Sequence, residues 1–325
     1  MKIPFCEPNL SQLEKQYVNE AINSSWVGSR GDFIDRFEEK FAKFIGVRYA
    51  ITCSSGTTAL QLAYMACGMG GPASVTIPRD TFIATRNMAV LLCQNVREAE
   101  ACADTWNISI DNVDTHFVVG VHLYGNPCDM GSVYKDKFRF IEDCAQSIGS
   151  KFKGKMTGSF GLASAFSFHS AKTMTTGEGG MVCTNDEDVA KRVRMLKNHA
   201  MTEPYKHMGL GFNYRMTNVQ AAMGLAQLER IGEFIKHKKM VTEFYDKHLS
   251  SNLSRQKNTR KSEVVKWANA YRHDEAGRIR AALVADGIET RPGFTDTDNT
   301  IVLPCSTLLT DTQLSYIVEC VNSYA

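Results

Sequence analysis

The sequence predicts an α/β fold: a mostly parallel sheet covered by helices on both faces. Three observations carry this. Short apolar runs recur at Tyr49–Cys53, Val75–Pro78, Phe117–Leu123, Phe138–Ile141, Ala163–His169 and Gly180–Thr184. Amphipathic helical stretches separate most of them. Residues able to do chemistry fall just beyond the run ends, where sheets of this class bind ligands. A length of 325 residues leaves room for a large domain, expected over 1–235, and a small C-terminal α+β domain over 236–325.

Composition excludes several classes of function. A net charge of +2 offers nothing to a polyanion, so no nucleic-acid partner is expected. No apolar run is long enough to span a bilayer, and Met1–Pro8 lacks the apolar core of a secretion signal. The ten cysteines run from Cys6 to Cys320 without a Cys-x-x-Cys pair, so small buried hydrophobes in a reducing compartment are expected, not a disulfide frame or a zinc site. The reading is a cytoplasmic protein with no membrane partner and no metal. Asn-x-Ser at Asn9, Asn23, Asn107 and Asn252 is then a chance match.

Taken in order, Ser11–Ser24 is a helix opened by the capping box Ser-Gln-Leu-Glu. The segment around Trp26 that follows suits either a ligand-facing loop or the anchor of a domain edge. Phe33–Phe44 is a second amphipathic helix. Tyr49 to Ala63 reads strand, small-residue turn, helix; the turn at Gly56-Thr57 is either an ordinary helix cap or a phosphate seat at the positive helix end. Val75–Pro78 is a strand, with a helix from Thr81-Phe82 to Cys93. Two further strands end at Tyr124-Gly125 and at Glu142-Asp143-Cys-Ala-Gln146. Asp186–Asn198 is a helix capped by Asn185 or Asp186. A glycine-rich loop, Gly209 to Asn218, feeds one long helix from Val219, with an apolar stripe at Ala221, Ala222, Leu225, Leu228 and Ile231. Ser250–Lys261 reads as a surface linker, followed by a helix (Asp274–Asp286), a strand (Asn299–Pro304) and a last helix from Thr310. Glycine patterns at Gly68, Gly177 and Gly209 lack the strand, helix and acidic residue of a dinucleotide site, and there is no Walker A loop.

The chemistry centres on Lys172. A strand ends in Ser167-Phe-His-Ser-Ala-Lys172 and hands over to Thr-Met-Thr-Thr-Gly-Glu-Gly-Gly. An amine at the rim of a buried sheet loses hydration, so its pKa falls and a nucleophilic neutral form becomes accessible. Strand ends add a carboxylate (Asp143), an amide (Gln146), a hydroxyl (Ser167) and the Gly56-Thr57 turn. Pyridoxal 5'-phosphate needs this set. Lys172 would take its aldehyde, Asp143 its pyridinium nitrogen, and Ser167 with the helix start its phosphate. Phe82 and Gln146 are candidates for the two ring faces. A displaced Lys172 would move the proton between substrate and cofactor carbons.

Several runs also resemble the DegT/DnrJ/EryC1/StrS sugar aminotransferases. They are Ser25–Gly31, Ser55–Leu60, Pro78–Thr85, Leu123–Asp129, Ile141–Gln146, Phe166–Lys172 with its Thr-Thr-Gly-Glu-Gly-Gly, and Gly211–Met216. The resemblance implies the aspartate-aminotransferase-like fold type I and Lys172 as the Schiff-base lysine. It further implies Asp143 at the pyridinium, Gln146 on the ring, and Gly56, Thr57 and Ser167 at the phosphate. Asn213 would reach the phosphate of a neighbouring subunit, making a homodimer with shared sites, and Ser29 and Arg215 would approach the substrate. The implied reaction moves an amino group from L-glutamate to the C4 ketone of a nucleotide-linked 4-keto-6-deoxyhexose, as in perosamine or viosamine synthesis for a polysaccharide such as O-antigen. A C3-keto sugar or inosose aminotransferase, or a non-catalytic pyridoxal-phosphate-binding regulator, stands as the alternative. Relatives with histidine at the lysine position dehydrate the sugar instead; Lys172 favours transamination, leaving His169 to packing or a substrate contact. Gly68–Val75 departs from the family's Gly-Asp-Glu-Val turn. Beyond Gly293 the chain passes directly to Thr295–Pro304, without a segment that helps shape the sugar site in relatives.

Overall fold

A computed structural model describes residues 1–110, 113–133, 138–294 and 299–325. The start of the shortened junction, Thr295 to Asp298, lies outside the described residues.

Helix α1 (Gln12–Asn23) starts where expected, because Ser11 and Glu14 satisfy each other's end of the helix in a full capping box. Helix α2 (Asp32–Ile45) buries Phe33, Phe37 and Phe41 on one face and stops at Gly46, whose φ of 83° only glycine adopts without strain. Strand β1 (Tyr49–Cys53) leads into α3 (Gly56–Ala66), β2 (Gly71–Pro78), α4 (Ile83–Leu92), β3 (Cys93–Ala99), β4 (Phe117–Val121), the single turn α5 (Met130–Val133) and β5 (Arg139–Asp143). A two-residue hairpin, β6 (Lys151–Phe152) and β7 (Lys155–Met156), precedes β8 (Ala163–Ser167) and β9 (Gly180–Thr184).

The seven-stranded sheet runs β1-β9-β8-β5-β4-β2-β3. The pairs β2–β3, β2–β4, β4–β5 and β5–β8 are parallel, and β9 alone runs antiparallel to its neighbours β1 and β8. The mostly parallel expectation therefore holds, and every residue of β4, β8 and β9 is buried, as a sheet covered on both faces requires. One cluster, with Leu60, Tyr64, Val75 and Ile141, fills one face. Another, with Phe37, Phe41, Phe166 and Phe168, fills the other.

Strand β3 was not anticipated. It pairs only with β2 at the sheet edge, and its mixed residues Gln94, Asn95, Arg97 and Glu98 carry no apolar signal because solvent meets it. Beyond α6 (Glu187–Leu196), capped by Asp186, come a small hairpin, β10 (Met201–Glu203) and β11 (Lys206–His207), and then α7 (Asn218–Glu229). The single long helix expected from Val219 is two: α8 (Ile231–His248) begins after a break at Arg230. Arg230 bonds to Glu14 at 2.8 Å and to the Asn9 side chain at 3.0 Å, so α1 and the segment before it hold the break.

The expected linker Ser250–Lys261 is not a free surface strap. It carries β12 (Ser254–Arg255), buries Leu253, Gln256 and Thr259, and donates from the Thr259 N–H to the Asn126 side chain. After β13 (Ser262–Glu263), paired to β6, the chain closes with β14 (Asn269–Arg272), α9 (Ala276–Ala285), β15 (Thr300–Leu303) and α10 (Asp311–Tyr324). Strands β12-β14-β15 form an antiparallel sheet against α8, α9 and α10. Ile3 packs into this C-terminal cluster and bridges Ile288, so the two chain ends share one core.

Candidate active site

Strand alternation divides the acidic pair at the end of β5. Glu142 is fully buried and accepts N–H bonds from Gly158, Phe160 and Gly161 at 2.7–2.8 Å. It also meets His122 Nε2 at 3.1 Å, while the Cys128 N–H donates to His122 Nδ1 at 3.0 Å, which fixes the histidine as the Nε2–H tautomer. His122, Glu142 and Cys144 lie close enough to resemble a metal site, but these bonds already use the histidine and the carboxylate. Asp143 faces the other way. Its Oδ2 accepts from the Thr85 hydroxyl at 2.7 Å and its Oδ1 from the Ala145 N–H at 3.0 Å, so the carboxylate is held in one orientation.

Lys172 is half-buried as a residue, but its ammonium end sits out of water, 4.3 Å from the centre of the Trp267 ring. Loss of hydration pulls its pKa down to about 8, against a weaker upward pull from Asp143. The turn carrying it is pinned at both sides. Lys172 N–H donates to the His169 carbonyl at 2.9 Å, and Thr176 N–H and the Thr175 hydroxyl both donate to the Phe168 carbonyl. A side chain at Gly179 would come within 2.1 Å of the Thr176 hydroxyl, so the turn needs glycine there.

The start of α3 meets the end of β8 at backbone distance. A Cβ on Gly56 would lie 2.6 Å from the Ser167 Cβ. The first N–H groups of a helix have no intrahelical partner, so those of Gly56 and Thr57 are available beside the Ser167 hydroxyl. That hydroxyl accepts from the His169 N–H at 3.4 Å and keeps its own proton to donate.

The other anticipated residues fall into two sets. Gln146 is buried nearby, with its Oε1 accepting from the Tyr124 N–H at 2.6 Å, and Phe82 is half-exposed at the start of α4, edge-on to Phe294 at 5.9 Å. Asn213 and Ser29 are exposed, and Arg215 is half-buried and bonds to the Asn198 side chain. Trp26 does not anchor a domain edge: its side chain is 56% exposed, while Asn218 holds the loop by bonding the Trp26 carbonyl. His169 is exposed, 3.7 Å from Glu178.

Comparison with known proteins decides what this arrangement is. The sequence pattern of the DegT/DnrJ/EryC1/StrS aminotransferase family matches residues 8–300. The chain belongs to this family. It is 40% identical to the GDP-perosamine synthase of Escherichia coli O157:H7 over 90% of this chain and 84% of that one. It is 36% identical to the GDP-perosamine synthase of Caulobacter vibrioides over the same shares. The fold matches Helicobacter pylori PseC, an aminotransferase involved in pseudoaminic acid biosynthesis, with a TM-score of 0.92, 24% identity, and coverage of 99% of this chain and 98% of that one.

Like other DegT/DnrJ/EryC1/StrS aminotransferases, this one depends on pyridoxal phosphate, and its residues fit that group. The donor set at Gly56, Thr57 and Ser167 suits a phosphate, the oriented Asp143 suits a protonated ring nitrogen, and Lys172 is an amine whose pKa is lowered to about 8. Trp267, Phe294, Tyr124 and Thr85 were not picked out from sequence. Phe294 stacks on Tyr124 at 5.4 Å and on Trp267 at 6.4 Å. Thr85 could have been found, since it ends the run from Thr81 that faces the Asp143 strand. Trp267 and Phe294 carry no motif and come from the far end of the chain.

Proposed function

We propose that this enzyme transfers an amino group from L-glutamate to the C4 ketone of a GDP-linked 4-keto-6-deoxyhexose, making a perosamine-type amino sugar for a polysaccharide. The observation that carries the reaction is Lys172, its pKa brought down to about 8, near an ordered Asp143. The substrate rests on the relatives named GDP-perosamine synthase.

Bound pyridoxal phosphate supplies an electron sink that lets a C–H bond next to nitrogen ionise. The protein's part follows from its own groups. Asp143, locked by Thr85, holds a proton on the ring nitrogen. Gly56, Thr57 and Ser167 hold the phosphate, and Gln146 and Phe82 bracket the ring. With the cofactor bound, Lys172 would carry the proton between the two carbons, a role that suits an amine whose pKa lies near 8. The Trp267 face keeps water from the Lys172 ammonium.

We further infer a cytoplasmic homodimer in which Asn213 completes the partner's phosphate site, while Ser29 and Arg215 approach the sugar. Exposed Asn213 and the exposed apolar residues Trp26, Val27, Met208 and Leu210 support that reading. The division into 1–235 and 236–325 is retained, with Ile3–Phe5 laid across onto the smaller part. Among the described residues, no helix is long and apolar enough to cross a membrane.

The test is absorption spectroscopy of cofactor-loaded protein before and after L-glutamate, then with 4-keto and 3-keto sugar nucleotides. Conversion by glutamate and reversal by GDP-4-keto-6-deoxyhexose alone is expected. Reversal only by a 3-keto sugar would overturn the C4 assignment, and no response to glutamate would overturn the donor.

A further inference from the structure

A pair of thiols lies next to the reactive lysine and the transamination chemistry does not use it. The Cys305 N–H donates to the Phe5 carbonyl at 2.8 Å. That carbonyl belongs to the peptide leading into Cys6, so the two α-carbons are held within roughly the 4–7 Å that a disulfide spans. The backbone bond sets the two side chains against each other, and each thiol shifts the ionisation of the other. Cys305 is fully buried, whereas Cys6 is half-buried and lines a small cleft with Glu7, Asn9, Lys172, Lys238 and Thr307. The fully buried Lys238 ammonium donates to the carbonyls of both Cys305 and Trp267. Two cations therefore flank the sulfur pair.

We propose that Cys6 and Cys305 are an oxidisable dithiol that a peroxide converts to a disulfide, tying the N-terminal segment to the loop after β15 beside Lys172.

The Cys6 thiol, helped by Lys238 and Lys172, brings the Cys305 pKa down to about 7, although burial opposes it. Cys53, Cys144 and Cys183 are also buried, but there burial outweighs every favourable contact, so their pKa values are pushed up and they are inert. The neighbouring Cys305 sulfur and burial push the Cys6 thiol up, so Cys6 keeps the proton and the Cys305 thiolate attacks a peroxide that enters by the cleft. An S–O bond forms on Cys305, the O–O bond breaks, and the departing hydroxide takes the Cys6 proton and leaves as water. The Cys6 thiolate so formed attacks the Cys305 sulfenic sulfur, forming S–S and breaking S–O, and the released hydroxide takes a proton from solvent to leave as a second water. One peroxide takes two electrons, one from each sulfur. In a reducing compartment the pair rests as thiols and closes only under oxidant. Closure removes a thiolate charge that now favours the Lys172 ammonium, so the lysine becomes easier to deprotonate.

Full-length protein loaded with cofactor is treated with hydrogen peroxide, alkylated, and digested without reduction. The expected result is a peptide joining Cys6 to Cys305, two hydrogens lighter than the sum of its parts and separated by dithiothreitol. Recovery of both as alkylated thiols, or of either as an unlinked sulfinic or sulfonic acid, would overturn the proposal. On the cofactor-free protein, oxidation is expected to move the pH midpoint of Lys172 acylation downward. An unchanged midpoint would overturn the coupling to the lysine.

Discussion

At the scale of single residues, the site depends on how far Lys172 is from an ordinary lysine. Its amine loses hydration against Trp267 and settles near pH 8, so the neutral form dominates above that value and the ammonium below it. In cofactor-free protein, acylation of Lys172 followed by peptide mass spectrometry is therefore expected to rise with pH and level off above about 8, while exposed lysines keep rising toward the usual value near 10.4. Trp267 is fixed at three points: its N–H to the Tyr124 carbonyl, its carbonyl from Lys238, and its indole Nε1–H to the Ala171 carbonyl at 2.7 Å. Trp267→Ala opens the lysine to water. The Lys172 midpoint is then expected to move up toward the usual value and kcat to drop by about tenfold, for a misplaced proton-transfer group. Trp267→Phe keeps the ring and should retain most of both. If Trp267→Ala left the midpoint at 8, the desolvation argument would fail.

At the scale of elements, the bend between α7 and α8 is controlled by a residue of another helix. Glu14 caps α1 through Ser11 and bonds Gln227 at 2.6 Å and Arg230 at 2.8 Å; these bonds outweigh its burial and hold its pKa down to about 2. A depressed carboxylate stabilises the fold above its unfolded pKa near 4.5, and that stability disappears as pH falls from there toward 2. Replacing Glu14 by Ala leaves Arg230 facing a buried gap, with an expected loss on the order of 3 kcal/mol at pH 7 in urea unfolding. The loss should shrink between pH 4.5 and 2, where the wild type gives up the same interaction. This junction also explains what the sequence hides. Helix-forming residues run unbroken through Arg230, and the break comes from Asn9 and Glu14, far away in the chain. Local signals were sufficient for α1, α3 and α10, whose capping boxes lie within four residues. The same holds for the lysine turn, where glycine is required by contacts inside the turn itself. Trp267 and Phe294 reach the site only through tertiary folding, and no short-range pattern marks them.

At the scale of the whole molecule, the reading of shared sites makes a quantitative claim. Lys172 is half-buried with its ammonium end out of water, while Asn213 is exposed on the loop beyond the β10–β11 hairpin. If Asn213 serves the partner's phosphate, a site consists of Lys172 from one chain and Asn213 from the other. Lys172→Ala and Asn213→Asp are then each expected to lose most activity alone, the second by placing a negative charge against a phosphate. Mixed at equal amounts after dissociation and reassembly, half the dimers are hybrids under random two-fold pairing, and each hybrid has one intact site. Activity should return to about a quarter of the wild-type value per chain. Were both residues to serve the same subunit's site, every hybrid site would carry one lesion and mixing would recover nothing. Assaying the mixture against the two separate variants, with size-exclusion chromatography to confirm the dimer, distinguishes the two arrangements.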